Sequence, residues 1–222
     1  MKHLIEKEVV NLNLPNPHDC ALTPLHRAAY FGHMVTVEFL VSNGANVDSK
    51  DNYGRTPLHW AASNDQKASA DFLLKKGVNV DCKDNYGYTP LHRAAYWDHP
   101  ETAEFLLQYG AYIDCSDNHG FTPLHRAAVG GRTTTVECLV RNGANIDCKD
   151  NNGFTPLHRA AWCGHAATVE FLVQNGANIN STNHDSQTPL QVARECNQLT
   201  VIEILENFIA TSADQQTTTR TT

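Results

Sequence analysis

Apolar and polar positions recur along this chain in blocks of fixed length. Residues 23–33 read TPLHRAAYFGH, and the block restarts as TPLHWAA at Thr56, TPLHRAA at Thr89, Thr122 and Thr155, and TPLQVAR at Thr188. Each start lies 33 residues after the last, with no insertion or deletion. Residues 51–83 show what one block predicts. Asp51 to Gly54 is a turn: the Asp side chain caps it and Gly accepts positive φ. Thr56 is a helix N-cap and Pro57 the first helical residue. Leu58 to about Ser63 makes two turns of helix, and the Ala61–Ala62 pair lets a neighbouring backbone come close. Gly32, Gly131 and Gly164 are predicted left-handed caps of this helix in other blocks. A second helix follows. In the first block it reads VTVEFLV, with Val37, Leu40 and Val41 at i, i+3 and i+4. Gly44 ends it, and ANVDSKDNYG leads by a hairpin-like loop into the next block.

Neither helix is long enough to be stable alone in water. Each carries an apolar stripe that nothing in its own block can cover, so blocks must stack on one another. A 33-residue period of a turn, two helices and T-P-L-H-x-A resembles the ankyrin repeat. The resemblance covers residues 18 to about 209, in units 18–50, 51–83, 84–116, 117–149, 150–182 and 183–209. It implies an all-α fold, an ankyrin-repeat solenoid of helix-turn-helix repeats joined by short β-turn or hairpin loops. The last unit has Gln191 for His, Arg194 for the second Ala, and polar Glu203 and Glu206, as a capping repeat would. Residues 1–17 read as an N-terminal capping segment or a degenerate half repeat, and 210–222 as a disordered polar tail.

Composition narrows the function. Lys and Arg number 17 against 24 Asp and Glu, a net charge of −7. That disfavours nonspecific binding to nucleic acid or anionic membranes, which needs clustered positive charge. No apolar run approaches the roughly 20 residues of a membrane span, and the opening MKHLIEKEVVNL does not read as a secretory signal. Of seven cysteines, Cys82, Cys115 and Cys148 hold one place in consecutive blocks. Stacked about 8–10 Å apart, they exceed the roughly 7 Å a disulfide allows. Reduced thiols and a cytoplasmic or nuclear protein, not a secreted one, are expected.

Twelve histidines invite a metal or acid–base reading. His26, His59, His92, His125 and His158 form a column one ring per repeat, too far apart to share a zinc ion at ligand distances near 2 Å. The resemblance implies that each imidazole hydrogen-bonds backbone between repeats. His33, His99 and His165 are spaced in the same way. Cys163 and Cys138 stand where other blocks place packing aromatics, and no nucleophile has an orienting third group. The phosphate-binding GxxxxGK and GxGxxG loops are absent. No enzyme activity, cofactor or metal is expected.

In an ankyrin stack, the concave surface comes from the turn before TPLH, the residue after its His and the two residues after Ala-Ala. These places hold Tyr30, Phe31, Tyr53, Trp60, Tyr86, Tyr88, Tyr96, Trp97, Phe121, Phe154 and Trp162, which include every tryptophan. Aromatic anchors suit binding hot spots; the alternative is that several pack against neighbouring turns. Arg27, Arg93, Arg126 and Arg159 run beside them. Either they meet an acidic partner segment, or each pairs with an Asp of its own or the next turn, such as Asp51 or Asp84. The resemblance also makes Asn180 a position where hairpin hydroxylation occurs in the family. The expected function is a monomeric protein-binding module acting through its concave face as adaptor, sequestering inhibitor or targeting scaffold. The rivals are a purely structural array, natural or designed, and a nucleic-acid binder.

Overall fold

The structure, a computed structural model, describes the backbone of residues 11–16 and 19–218 and the side chains of these as far as Thr211. Twelve helices occupy the described residues. The first helices of the pairs are α1 (Pro24–Phe31), α3 (Pro57–Ser63), α5 (Pro90–Trp97), α7 (Pro123–Val129), α9 (Pro156–Cys163) and α11 (Pro189–Glu195). The second helices are α2 (Met34–Ser42), α4 (Lys67–Lys75), α6 (Pro100–Gln108), α8 (Thr133–Arg141), α10 (Ala166–Gln174) and α12 (Leu199–Thr218). Each first helix packs on the first helices of its neighbours and on its own second helix. The result is a two-layered all-α solenoid with no sheet among the described residues; the one isolated β-bridge joins Asn16 and Leu22.

Shortness explains the packing. A helix of seven to nine residues cannot hold itself together, so its stability must come from contacts. The TPLH leucines Leu25, Leu58, Leu91, Leu124 and Leu157 form one fully buried column, and Leu73, Leu106, Leu139, Leu172 and Leu205 of the second helices another. The paired alanines between them are buried too, which lets adjacent helix backbones approach closely. The turns are tied across repeats by single backbone bonds: the Asn85 N–H donates to the Tyr53 carbonyl at 2.9 Å and Asn118 to Tyr86 at 3.0 Å.

The ends differ from the expectation at one point. α12 continues to Thr218, past Ala210, where a disordered polar tail is expected to begin. Residues 219–222 lie outside the described residues, as does the stretch 1–10 of the expected N-terminal segment. What is described of that segment joins the stack: Leu12 packs on the core, and Asn13 Oδ1 accepts the Asn46 N–H at 2.7 Å.

Two glycines in left-handed conformation separate strain from steric fit. At Gly120 (φ +78°) an added Cβ would lie 2.6 Å from the backbone N of Asn151, whereas at Gly143 (φ +90°) it would meet nothing within 4 Å. Gly143→Ala is therefore expected to cost only the φ penalty, about 1 kcal/mol. Gly120→Ala must also push two turns apart and should cost about 2–3 kcal/mol. Urea unfolding of both variants checks this; equal losses would contradict it.

Candidate partner-binding face

Each first helix begins with the same hydrogen-bonded corner. The backbone N–H of Thr56 donates to His59 Nδ1 at 3.1 Å, and Thr89, Thr122 and Thr155 repeat this with His92, His125 and His158. An Nδ1 that accepts from an amide carries no proton, so Nε2 must be the protonated nitrogen. Nε2 then donates to a carbonyl of the next turn: His26 to Arg55 at 3.0 Å, His59 to Tyr88, His92 to Phe121, His125 to Phe154 and His158 to Gln187. Both ring nitrogens are committed to joining repeats. Burial pushes His59, His92 and His125 down to about 4 and lowers His26 and His158 in the same direction. In the last repeat Gln191 Oε1 takes over the accepting role towards the Thr188 N–H.

The arginine column is also satisfied from within. Arg93 bonds Asp84 at 2.5 Å, Arg126 bonds Asp117 at 2.5 Å and Arg159 bonds Asp150, each carboxylate side chain being fully buried. The same carboxylates hold the turns, Asp117 Oδ1 accepting the N–H groups of His119 and Phe121. Arg27 pairs with Asp19 at 2.5 Å. The own-turn alternative is thus the one the structure adopts, and these guanidinium groups are already neutralised.

Two of these guanidinium groups also lie between rings, and Arg93 lies 4.6 Å from the centroid of Tyr88. Arg126 sits 4.5 Å from the centroid of Tyr88 and 4.3 Å from that of Phe121; Arg159 sits 4.6 Å from Phe121 and 4.2 Å from Phe154. Tyr88, Arg126, Phe121, Arg159 and Phe154 therefore form a continuous alternating cation–π stack across repeats. The second repeat exchanges the two partners. Trp60 stands where repeats three to five have Arg, and Arg55 where the same repeats have Tyr or Phe. Arg55 bonds Asp51 at 2.7 Å and lies 4.1 Å over the Trp60 ring, whose Nε1 also donates to Asp51. This exchange was visible in the aligned repeats as Arg55 and Trp60, but only the geometry shows that it conserves the contact.

These contacts sort the expected binding residues. Phe31, Tyr53, Tyr86, Tyr96, Trp97 and Trp162 remain exposed, Phe31 and Trp97 by half or more. Tyr30, Trp60, Tyr88, Phe121, Arg93, Arg126 and Arg159 are half-buried. Phe154 is a correction: it is only 6 % exposed, sealed between His158, Trp162 and Arg159, and is a packing residue. Sequence reasoning missed a further row of bonds on this face. The carbonyls of Tyr30, Ser63, Tyr96, Val129 and Trp162, at the ends of the first helices, accept from Asn64, His99, Arg132, His165 and Gln198 of the next repeat. Residues 99, 132, 165 and 198 share one place in the 33-residue period, which was the available signal. His99 and His165 are thereby structural.

Two thiols of the cysteine ladder are held protonated. Burial pushes Cys82 up to about 11 and Cys148 up to about 12, away from the thiolate form a nucleophile needs. Asn180 is exposed on its loop, its N–H donating to Asn178 Oδ1. No helix among the described residues is long and apolar enough to cross a membrane.

The described residues thus form a two-row repeat solenoid that carries an aromatic and arginine face. The family model for ankyrin repeats matches residues 1–84, 70–117, 112–183 and 135–219, and the chain belongs to that family. No curated protein matches the chain. Ankyrin repeats are generally protein–protein interaction modules.

Proposed function

We propose that the protein binds another protein on its concave face, as an adaptor, a sequestering inhibitor or a targeting scaffold. One observation carries the reading: Phe31, Tyr53, Tyr86, Tyr96, Trp97 and Trp162 stay exposed on the face that the array leaves open, while Phe154 and half-buried Tyr88 and Phe121 show that the fold could have absorbed rings there. Exposed aromatic patches bring association without aiding the fold. In this reading units 18–50, 51–83, 84–116, 117–149, 150–182 and 183–209 form one binding domain of a monomer, cytoplasmic or nuclear, with no cofactor and no nucleic-acid or membrane partner. The exposed rings are the anchors. Tyr30, Trp60, Tyr88, Phe121, Phe154, Arg93, Arg126 and Arg159 support them. Because the arginines already have carboxylate partners, burial of rings drives association and charge contributes little.

The test is affinity purification from lysate with the wild-type chain and with Trp97→Ala as paired baits, followed by titration calorimetry on a recovered partner. Trp97→Ala is expected to weaken binding about 30-fold, roughly 2 kcal/mol, with unchanged helical circular dichroism. A partner held equally by both baits, and by Trp162→Ala, would leave the array a spacer with no binding role for this face.

A further inference from the structure

The last two residues of the exposed first-helix ends are Tyr30–Phe31, Ser63–Asn64, Tyr96–Trp97, Val129–Gly130 and Trp162–Cys163. Repeats one, three and five raise a large ring there; repeats two and four do not. The two low places differ. At repeat four the Arg132 side chain covers the place, lying against Gly130 and donating from Nε to the Tyr96 carbonyl at 3.2 Å. At repeat two a cleft of about 440 Å³ stays open, within the range of about 300–1,000 Å³ that small-molecule sites occupy. Ser63 and Asn64 lie between its ring walls, Tyr30 and Trp97, and Trp60 lines it too. The walls are braced: Tyr30 meets Trp60 edge-on at 5.4 Å, and Trp97 meets Tyr96 edge-on at 5.1 Å. Rings already held in place lose little freedom when a ligand enters.

The arginines beside this cleft differ from those beyond it. Arg126 and Arg159 each hold their aspartate through both Nε and Nη2. Arg55 and Arg93, which line the cleft, each use a single nitrogen: Arg55 Nε on Asp51 at 2.7 Å, and Arg93 Nη2 on Asp84 at 2.5 Å. Among the described residues, the one buried side-chain N or O without a hydrogen-bond partner is Arg93 Nε. That atom is sealed and can receive nothing from outside. The unpaired N–H groups on Nη1 and Nη2 of Arg55 and on Nη1 of Arg93 are not sealed, so they reach solvent as open donors. Two forks with free donors, set among rings, suit a planar acceptor.

The charge of that acceptor follows from its surroundings. Asp51 and Asp84 already offset the two guanidinium groups, and the whole chain carries −7. A multiply charged phosphate would find little net attraction here, whereas a single carboxylate needs only the N–H groups that the aspartates leave free. We infer that the cleft is a small-molecule site for a planar aromatic carboxylate, its rings between Tyr30 and Trp97 over Ser63 and Asn64 and its carboxylate on the free N–H groups of Arg55 and Arg93. The inference goes beyond the concave-face reading above and does not depend on it. Its ligand is a free small molecule, whether or not a protein covers the surrounding face.

The probe is 2-naphthoate, titrated into the full chain and followed by calorimetry and by the indole N–H signals in NMR. The three tryptophans supply an internal control, because Trp60 and Trp97 line the cleft and Trp162 lies in repeat five. The expected result is a Kd below about 1 mM, with shifts at Trp60 and Trp97 and none at Trp162. 2-Naphthamide, the neutral counterpart, and cyclohexanecarboxylate, an anion without an aromatic ring, should each bind at least fivefold more weakly. Ser63→Tyr fills the cleft with a ring that Tyr30 and Tyr96 show this position accommodates, so the fold is retained; circular dichroism checks it. Affinity should fall at least tenfold in Ser63→Tyr and in Trp97→Ala. Equal binding of 2-naphthamide would overturn the carboxylate assignment. The same arginines border a hollow beside Tyr53, Tyr86 and Tyr88; affinity unchanged in Ser63→Tyr would place the ligand there and overturn the cleft. No shift at Trp60 or Trp97 at about 10 mM ligand would overturn the site altogether, while the paired baits above would still decide protein binding.

Discussion

Lowering the pH from 7 to 4 at constant ionic strength is expected to unfold the array, with the transition beginning below pH 6.5. The cause is the histidine column. Each ring accepts an amide at Nδ1 and donates from Nε2 to the next repeat, inside a fully buried site. Protonating Nδ1 would set a second N–H against the donor already there. Burial accordingly holds His59, His92 and His125 at about 4, against an ordinary 6.5. The sign follows from linkage. Between pH 6.5 and 4 the unfolded chain binds protons that the folded chain refuses, so acid favours the unfolded state. The stability is complete above pH 6.5, declines as pH falls and is gone once pH passes the folded value near 4. At pH 5 each of the three loses about 2 kcal/mol, about 6 kcal/mol together, and near pH 4 about 3 kcal/mol each. His26 and His158 shift in the same direction and add to the loss. That loss is of the same size as the whole stability of a typical domain, about 5–15 kcal/mol. Urea unfolding at a series of pH values, followed by circular dichroism, reads the effect. The control copies the last repeat, where Gln191 fills the histidine's place without titrating: replacing His92 and His125 with Gln should move the acid midpoint to lower pH. An acid midpoint unmoved by both replacements would remove the column as the cause.

The same column shows what a sequence can disclose in a protein of this kind. The period, the helix starts and the stacking all follow from short apolar stripes that cannot be hidden locally, so Leu25, Leu58 and their equivalents could be placed in the core from spacing alone. The histidine bonds are one link further on, since a ring at a fixed place in every unit must find a fixed partner in the next. The face is harder because it depends on competition between two uses of one residue. Phe121 and Phe154 occupy the same place in consecutive units, yet Phe154 is sealed, with Trp162 packing on its ring at 5.5 Å, while Phe121, whose unit has Val129 in the place of Trp162, stays half-buried. Arginine and aspartate nine residues apart could equally have met across a turn or reached for a partner, and composition does not decide between them. Nor did the polar composition beyond Ala210 disclose that α12 would run on to Thr218.

The pairing that composition left open carries the other large expected effect: Asp117→Ala should cost about 3–4 kcal/mol. Asp117 is fully buried at its side chain and serves three partners. Oδ1 accepts the His119 N–H at 2.7 Å and the Phe121 N–H at 3.1 Å, and Oδ2 accepts from Arg126. Alanine deprives two turn amides of an acceptor and leaves a guanidinium, only 16 % exposed, without its counter-charge. The chain itself contains the comparison that separates these contributions. In the last repeat the aspartate is Asn183 and the arginine is Val192. Asn183 Oδ1 still accepts two turn amides, at 3.0 and 2.9 Å, so the neutral amide suffices where no arginine faces it. Asp117→Asn should therefore keep the turn and lose mainly the ion pair, about 1–2 kcal/mol. Arg126→Val alone strands a buried carboxylate and frees the Tyr88 and Phe121 rings, at a similar cost. The double variant Asp117→Asn with Arg126→Val recreates the last repeat's arrangement and should cost less than the two single losses added, by about 1 kcal/mol or more. Urea unfolding of the four proteins, followed by circular dichroism and tryptophan fluorescence, measures the cycle. Strict additivity, or an Asp117→Ala loss below about 1 kcal/mol, would show that turn and arginine are independent. The alternating stack from Tyr88 to Phe154 would then be an incidental contact and not the support on which Trp162 packs.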